Sequence, residues 1–181
     1  MAVSDLIKAF VSADVNRRFQ LTDWFMSVID HAREKPSDAF TPSDVGVPRE
    51  FLDWLVELGA LKRVGDSKYQ LAVSLSELGI DERVKLVVDA LRRGCGLYVE
   101  SKKDGSYRQV DLVVKCVDNE YVTVHKICNF RAYPCELVIE ELVRLGVIDV
   151  VYAVELEAKA LKYLKGNYSA STALGFSKSL R

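Results

Sequence analysis

The sequence predicts an α/β chain, α+β overall, built in two parts: a helical module over residues 1–75 and a strand-rich domain over 76–165. Three observations predict it. Apolar residues recur every three or four positions from Asn16 to Glu34, the spacing of one face of a helix. A short helix, turn, helix and hairpin signal follows, closing near Leu71. After Gly94 the rhythm changes to three β-prone segments separated by short turns. A chain of 181 residues has room for two small domains.

In the first part, Phe19, Leu21, Trp24, Phe25, Val28, Ile29 and Ala32 form the stripe of the first helix, and Lys35-Pro36-Ser37-Asp38 ends it. Thr41 before Pro42 is a helix start, because proline at the first helical position gives up no needed hydrogen bond. Asp44-Val45-Gly46-Val47-Pro48 turns into another helix that points Phe51, Leu52, Leu55, Val56 and Leu58 inward and stops at Gly59. Ala60–Val64 and Lys68–Leu71 flank Gly65-Asp66-Ser67 as a hairpin.

In the second part, an amphipathic helix within Ser76–Arg93, starting near Asp81, is stopped by Gly94. Leu97–Ser101, Tyr107–Cys116 and Tyr121–Cys128 read as an antiparallel meander, with turns at Lys103-Asp104-Gly105 and Asp118-Asn119. Pro134 opens a further helix that Gly146 ends, the apolar run Val147–Val154 reads as a strand covered on both faces, and Leu156–Leu164 as a helix. Residues 166–181 read as a flexible basic tail.

Composition narrows the classes. The chain is 49% hydrophobic and 28% charged, a balance that supports a packed core. No apolar run is long enough to cross a bilayer and the first residues lack a secretory pattern, so a cytoplasmic location and no membrane partner are expected. The four cysteines, at 95, 116, 128 and 135, contain no C-x-x-C pair; buried thiols without disulfides are expected. The formal net charge of -1 is uneven: residues 158–181 hold 5 Lys or Arg and no acid, and the rest is slightly acidic. Only three Gln and four Asn point toward a thermophile.

The order of helix, short helix, turn, helix and hairpin over about residues 4–73 resembles winged helix-turn-helix domains. The order αβββαβ over about 80–157 resembles the restriction-endonuclease-like fold with its mixed sheet, including archaeal Holliday junction resolvases. The residues carrying the second resemblance are Asp111 in R-Q-V-D-L-V-V, Lys126 in E-Y-V-T-V-H-K-I, and Glu82 on the opening helix. That resemblance implies catalytic roles for Asp111, Lys126 and Glu82, with Asp111 as a metal ligand for Mg²⁺ and the lysine positioning water. The pattern breaks at Val124, where the family places a second acid on Lys126's side of the strand. Glu136 or Glu140 could restore the site from the next helix. If the motif is dead, no cofactor is expected.

Winged helices usually meet DNA through the helix after the turn and through the wing. The cations placed for this are Arg17, Arg18, Arg49, Lys62, Arg63 and Lys68, with a second patch at Lys102, Lys103, Tyr107 and Arg108. The exposed face of that helix also carries Glu50, Asp53 and Glu57, which repel phosphate.

The sequence therefore favours a nucleic-acid-binding protein with a nuclease-like domain of lost or altered activity, serving a DNA-processing or transcription assembly. Nucleic acid is the expected partner, and a protein partner or homodimer fits too. Three rivals stand beside it: an active metal-dependent endonuclease with a displaced acid, a noncatalytic subunit of an RNA-processing enzyme resembling archaeal tRNA-splicing endonuclease subunits, and a protein-interaction adaptor.

Overall fold

The computed structural model describes residues 8–10, 12–35, 37–74, 77, 79–104, 107–131 and 135–166. The tail after 166, the turn residue Gly105, and the helix signals at Pro36 and Pro134 lie outside the described residues, as does the side chain of Tyr107. The chain divides into two compact units at Asp81/Glu82.

The first unit contains α1 (Val15–Glu34), α2 (Pro42–Val45), α3 (Arg49–Glu57), β1 (Leu61–Val64) and β2 (Lys68–Leu71). Asp14 caps α1, its carboxylate accepting from the Arg17 N–H at 2.9 Å. Leu21, Phe25, Val28, Ile29 and Ala32 are buried at the spacing expected of one helical face. Thr41 and Asp44 form a reciprocal capping box around α2. Gly46 then takes φ +65°, a left-handed conformation open to glycine at little cost, and this reverses the chain into α3. β1 and β2 pair antiparallel, with Leu61 opposite Leu71. Phe40 adds one bridge to Tyr69 through two backbone bonds of 2.8 Å. Phe25, Ile29, Phe40, Leu52, Leu55, Leu61 and Tyr69 form the core.

The second unit follows α4 (Ile80–Arg92) with β3 (Gly96–Asp104), β4 (Tyr107–Asp118), β5 (Tyr121–Asn129), α5 (Cys135–Arg144) and α6 (Val150–Leu164). The three strands form one antiparallel sheet in the order β3-β4-β5. A bulge between Leu112 and Val113 breaks the β4–β5 register, so that Val113 opposes Lys126 while Leu112 opposes Cys128, leaving Ile127 as the extra residue. α6 packs on β3 and β4, and its Tyr152 hydroxyl donates to the Leu97 carbonyl oxygen. Burial pushes that phenol far above its usual pKa, which keeps the donor proton in place.

Two expectations are corrected here. Val147–Val154 is not a strand, so the order is αβββαα and the sheet is antiparallel throughout rather than mixed. The reason lies in two caps packed into five residues. Gly146 N–H bonds to the Val143 carbonyl and Val147 N–H to the Leu142 carbonyl at 2.9 and 2.8 Å, with Gly146 at φ +70°; this pair of bonds ends α5. Asp149 then caps α6 by accepting from the Tyr152 N–H at 2.6 Å. Val150, Val151 and Val154 face solvent, while Tyr152, Ala153, Leu156, Ala160 and Tyr163 are buried. Helical spacing of the buried set overrides the strand preference of the valines.

The cysteines are the second correction. Cys95 bonds to Cys116 and Cys128 to Cys135, and no cysteine is free. The pairing escaped sequence spacing because the meander brings Cys95, just ahead of β3, beside a β4 residue 21 positions on. Among the described residues no helix is long and apolar enough to cross a membrane.

Loop entropy ranks the two bridges. Losing the 21-residue closure at Cys95–Cys116 is expected to cost about 3 kcal/mol and the 7-residue closure at Cys128–Cys135 about 2 kcal/mol. Urea titration of Cys95→Ser and Cys128→Ser checks this, and a larger loss from the shorter loop would contradict it.

Candidate functional site

The structure brings Asp111 and Lys126 together and leaves Glu82 apart. Asp111 on β4 is 2% exposed, and Lys126 Nζ stands 3.5 Å from its Oδ2. Gln109 Nε2 donates to Oδ2 at 3.0 Å and lies 3.3 Å from Oδ1, and Asn129 Nδ2 donates to Oδ1 at 2.9 Å. Asn129 in turn accepts from the Arg131 N–H at 2.7 Å. Lys126 and Asn129 are three apart, which on a regular strand puts them on opposite faces; the bulge at Ile127 turns both toward Asp111.

Glu100 on β3 lies directly opposite Asp111 and pairs with Lys115 at 2.9 Å. One side of the sheet thus carries two carboxylates, each already paired with a lysine. Glu82 instead lines a shallow depression with Lys85, Asp89, Arg93 and His125. His125 is on the opposite side of β5 from Lys126, so Glu82 lies across the sheet from the Asp111–Lys126 pair.

This donor set does not fit Mg²⁺. Both Asp111 oxygens already accept hydrogen bonds, Lys126 Nζ stands 3.5 Å from one of them, and Val124 supplies no side-chain oxygen. Among the described residues no three His, Cys, Asp or Glu side chains form a group that could hold a metal. The arrangement is suited to holding β4 and β5 in register.

The cations placed for nucleic acid are distributed unevenly. Arg18 is 3% exposed and belongs to the interior of the first unit. Its position on the inward face of α1, one turn before Thr22, explains why it is not on the surface. Arg63 donates to Asp53 Oδ1 at 2.7 Å, Arg49 lies 3.9 Å from Asp53 Oδ2, and Tyr69 donates to the same carboxylate at 2.5 Å. Asp53 therefore ties α3 to the hairpin and engages two of the arginines. Lys62, Lys68, Lys102 and Lys103 are exposed, and Arg108 is half-buried.

Sequence reasoning assigned Trp24 and Phe51 to the core and passed over Trp54. Phe51 is in the core, 4% exposed, while Trp24 and Trp54 are half-buried, and the three rings line a groove of about 490 Å³ between α1 and α3. Trp24 and Phe51 stand 5.4 Å apart, and Phe51 and Trp54 5.9 Å apart. The Arg17 guanidinium lies 5.0 Å from the centre of the Trp24 ring and donates to Gln20, and Glu50 flanks the opposite wall. Glu50 and Trp54, four apart on a helix, share one face of α3, a signal present in the sequence.

No family model, curated protein or solved structure matches this chain.

Two outcomes follow. Asp111→Ala is expected to destabilise by about 2–4 kcal/mol, since a buried acceptor set is lost; Lys126→Met, half exposed, is expected to cost about 1 kcal/mol or less. Urea midpoints order the two, and a larger loss for Lys126→Met would overturn the register-holding role. The Tyr69 hydroxyl, then Arg63, hold the Asp53 carboxyl below the usual carboxylate range against some desolvation. Its stabilising contribution is complete above the unfolded value of about 3.9 and is lost as pH falls through the lower folded value. The stability gap between wild type and Asp53→Ala is therefore expected to be full at neutral pH and to close in strong acid, as read by urea titrations across pH.

Proposed function

We propose that this chain is a noncatalytic interaction protein, whose winged-helix-like first unit docks an apolar segment of a partner protein in the Trp24–Phe51–Trp54 groove. The groove carries the reading: Trp24 and Trp54, both half-buried, flank the buried Phe51 ring at 5.4 and 5.9 Å and line an opening between α1 and α3. Aromatic-lined grooves bounded by charge are a common means of holding an amphipathic helix, with apolar anchors at three- and four-residue spacing. Arg17 and Glu50 on opposing walls supply one contact of each sign to orient such a helix.

The same unit is poorly furnished for phosphate. Arg18 is buried, Arg49 and Arg63 face Asp53, and Glu50 and Glu57 are exposed on α3. The saturated carboxylate at Asp111 supports a structural role for the second unit. Nucleic-acid binding is the second reading. It rests on the exposed lysines at 62, 68, 102 and 103.

Disulfides persist in oxidising compartments and inside hyperthermophile cells. Two of them, with few Asn and Gln, support a thermophile's cytoplasm as the setting.

Selection of helical peptides from a random display library against the full chain tests the first reading. The expected binders carry aromatic or aliphatic anchors one turn apart and weaken more than tenfold with Trp24→Ala or Trp54→Ala. Anisotropy titrations with duplex and single-stranded DNA and with RNA, run beside them, decide the alternative. Tight binding lost in Lys62→Glu/Lys68→Glu, with no peptide selected to the groove, would replace the docking reading.

A further inference from the structure

Among the described residues β5 is an edge strand, hydrogen-bonded to β4 on one side only. Edge strands present a row of unpaired N–H and C=O groups and are normally blunted by lysine, proline or a covering element. β3, the other edge, has α6 packed against it and Lys102 and Lys103 at its end, and α5 packs against β5. Residues 121–124 of β5 are all exposed and read Tyr-Val-Thr-Val, with no charge and no proline. Tyr121 is 76% exposed, Val122 59% and Val124 45%, and Val117, the cross-strand neighbour of Val122, is 76% exposed. An unguarded edge and an apolar patch thus coincide.

The sequence of this edge is self-complementary about Thr123. In an antiparallel pairing of two β5 strands with a two-fold axis through Thr123, Val122 faces Val124, Tyr121 faces His125, and Glu120 faces Lys126. Glu120 is the turn residue leading into the strand, and Lys126 is 53% exposed while paired with Asp111. An ammonium has three donors and that pair uses one. Centring the axis on Val122 instead sets Val124 against Glu120; centring it on Val124 sets Val122 against Lys126. Apolar meets apolar and acid meets base only when the axis passes through Thr123.

We infer that β5 is the interface of a symmetric homodimer, in which two copies of this chain join their three-stranded sheets into one six-stranded antiparallel sheet. This symmetry makes the contact self-limiting, because the pairing consumes both β5 edges. It does not involve the aromatic groove, so the two proposals stand or fall separately.

Sedimentation equilibrium of the full chain is expected to give twice the chain mass at micromolar concentration. Val122→Lys, at an exposed position, is expected to shift it to monomer; Val122→Lys/Val124→Asp, which sets Lys against Asp twice, is expected to restore dimer. All native cysteines are in disulfides, so Thr123→Cys adds one thiol that meets its own copy at the axis. Oxidation is expected to crosslink Thr123→Cys chains and to leave Val122→Cys and Val124→Cys chains uncrosslinked, with circular dichroism confirming the fold of each variant. A monomer at every concentration, a dimer that Val122→Lys leaves intact, or crosslinking of Val122→Cys or Val124→Cys alone in place of Thr123→Cys would overturn the inference. Loss of peptide binding in Trp54→Ala with the dimer preserved would separate this result from the groove's.

Discussion

A carboxylate taken out of water must have its lone pairs satisfied, and the second unit is arranged around that demand at Asp111. The side chain sits at 2% exposure in the middle strand, where an unmet charge would cost several kcal/mol. Its donors come from the strand itself and from β5, and Asn129 of β5 reaches it only because Ile127 is inserted as a bulge. The irregular register and the buried acid therefore explain each other. With Glu100 and Lys115 pairing alongside, the sheet holds its alignment by polar contacts on one side and by apolar packing from Leu97, Val99, Val110, Leu112 and Val114 on the other.

The first unit solves a smaller version of the same problem at Asp53. A half-buried carboxylate on α3 takes a hydroxyl from Tyr69 and a guanidinium from Arg63 of the hairpin. This fixes the hairpin against the helix and pairs the exposed Arg63 with an acid. The α1–α3 side is lined by Trp24 and Trp54 together with Arg17 and Glu50, a mixed rather than a basic surface.

Much of this was legible in the sequence, and the exceptions have physical causes. The stripe of α1, the Thr41-Pro42 start, the Gly46 reversal and the β1–β2 hairpin follow from local rules, and the structure has each of them. Asp111 and Lys126 were expected to share a basin, and they do, since a period of two and a meander suffice to place them. Gln109 was readable by the same period; Asn129 was not, because no local pattern announces a bulge. The run Val147–Val154 misled because its valines favour a strand in isolation, while Gly146 and Asp149, the residues that decide the matter, are caps. Arg18 stands at the helical spacing of Leu21, Thr22 and Phe25, so its burial was readable from the stripe, whereas the pairing of the cysteines depends on tertiary neighbours, which periodicity does not encode.

The connection from α5 to α6 has a bearing on how the chain tolerates change. Gly146 to Asp149 contains no idle residue: Gly146 turns, Val147 and Ile148 are buried, and Asp149 begins the next helix. One added amino acid there would detach either the stop or the start, and the two helices would lose their fixed angle. At the tip of the first unit's hairpin, Gly65, Asp66 and Ser67 are all exposed. Length variation among natural variants, and any epitope or reporter a laboratory wishes to splice in, belongs at that tip.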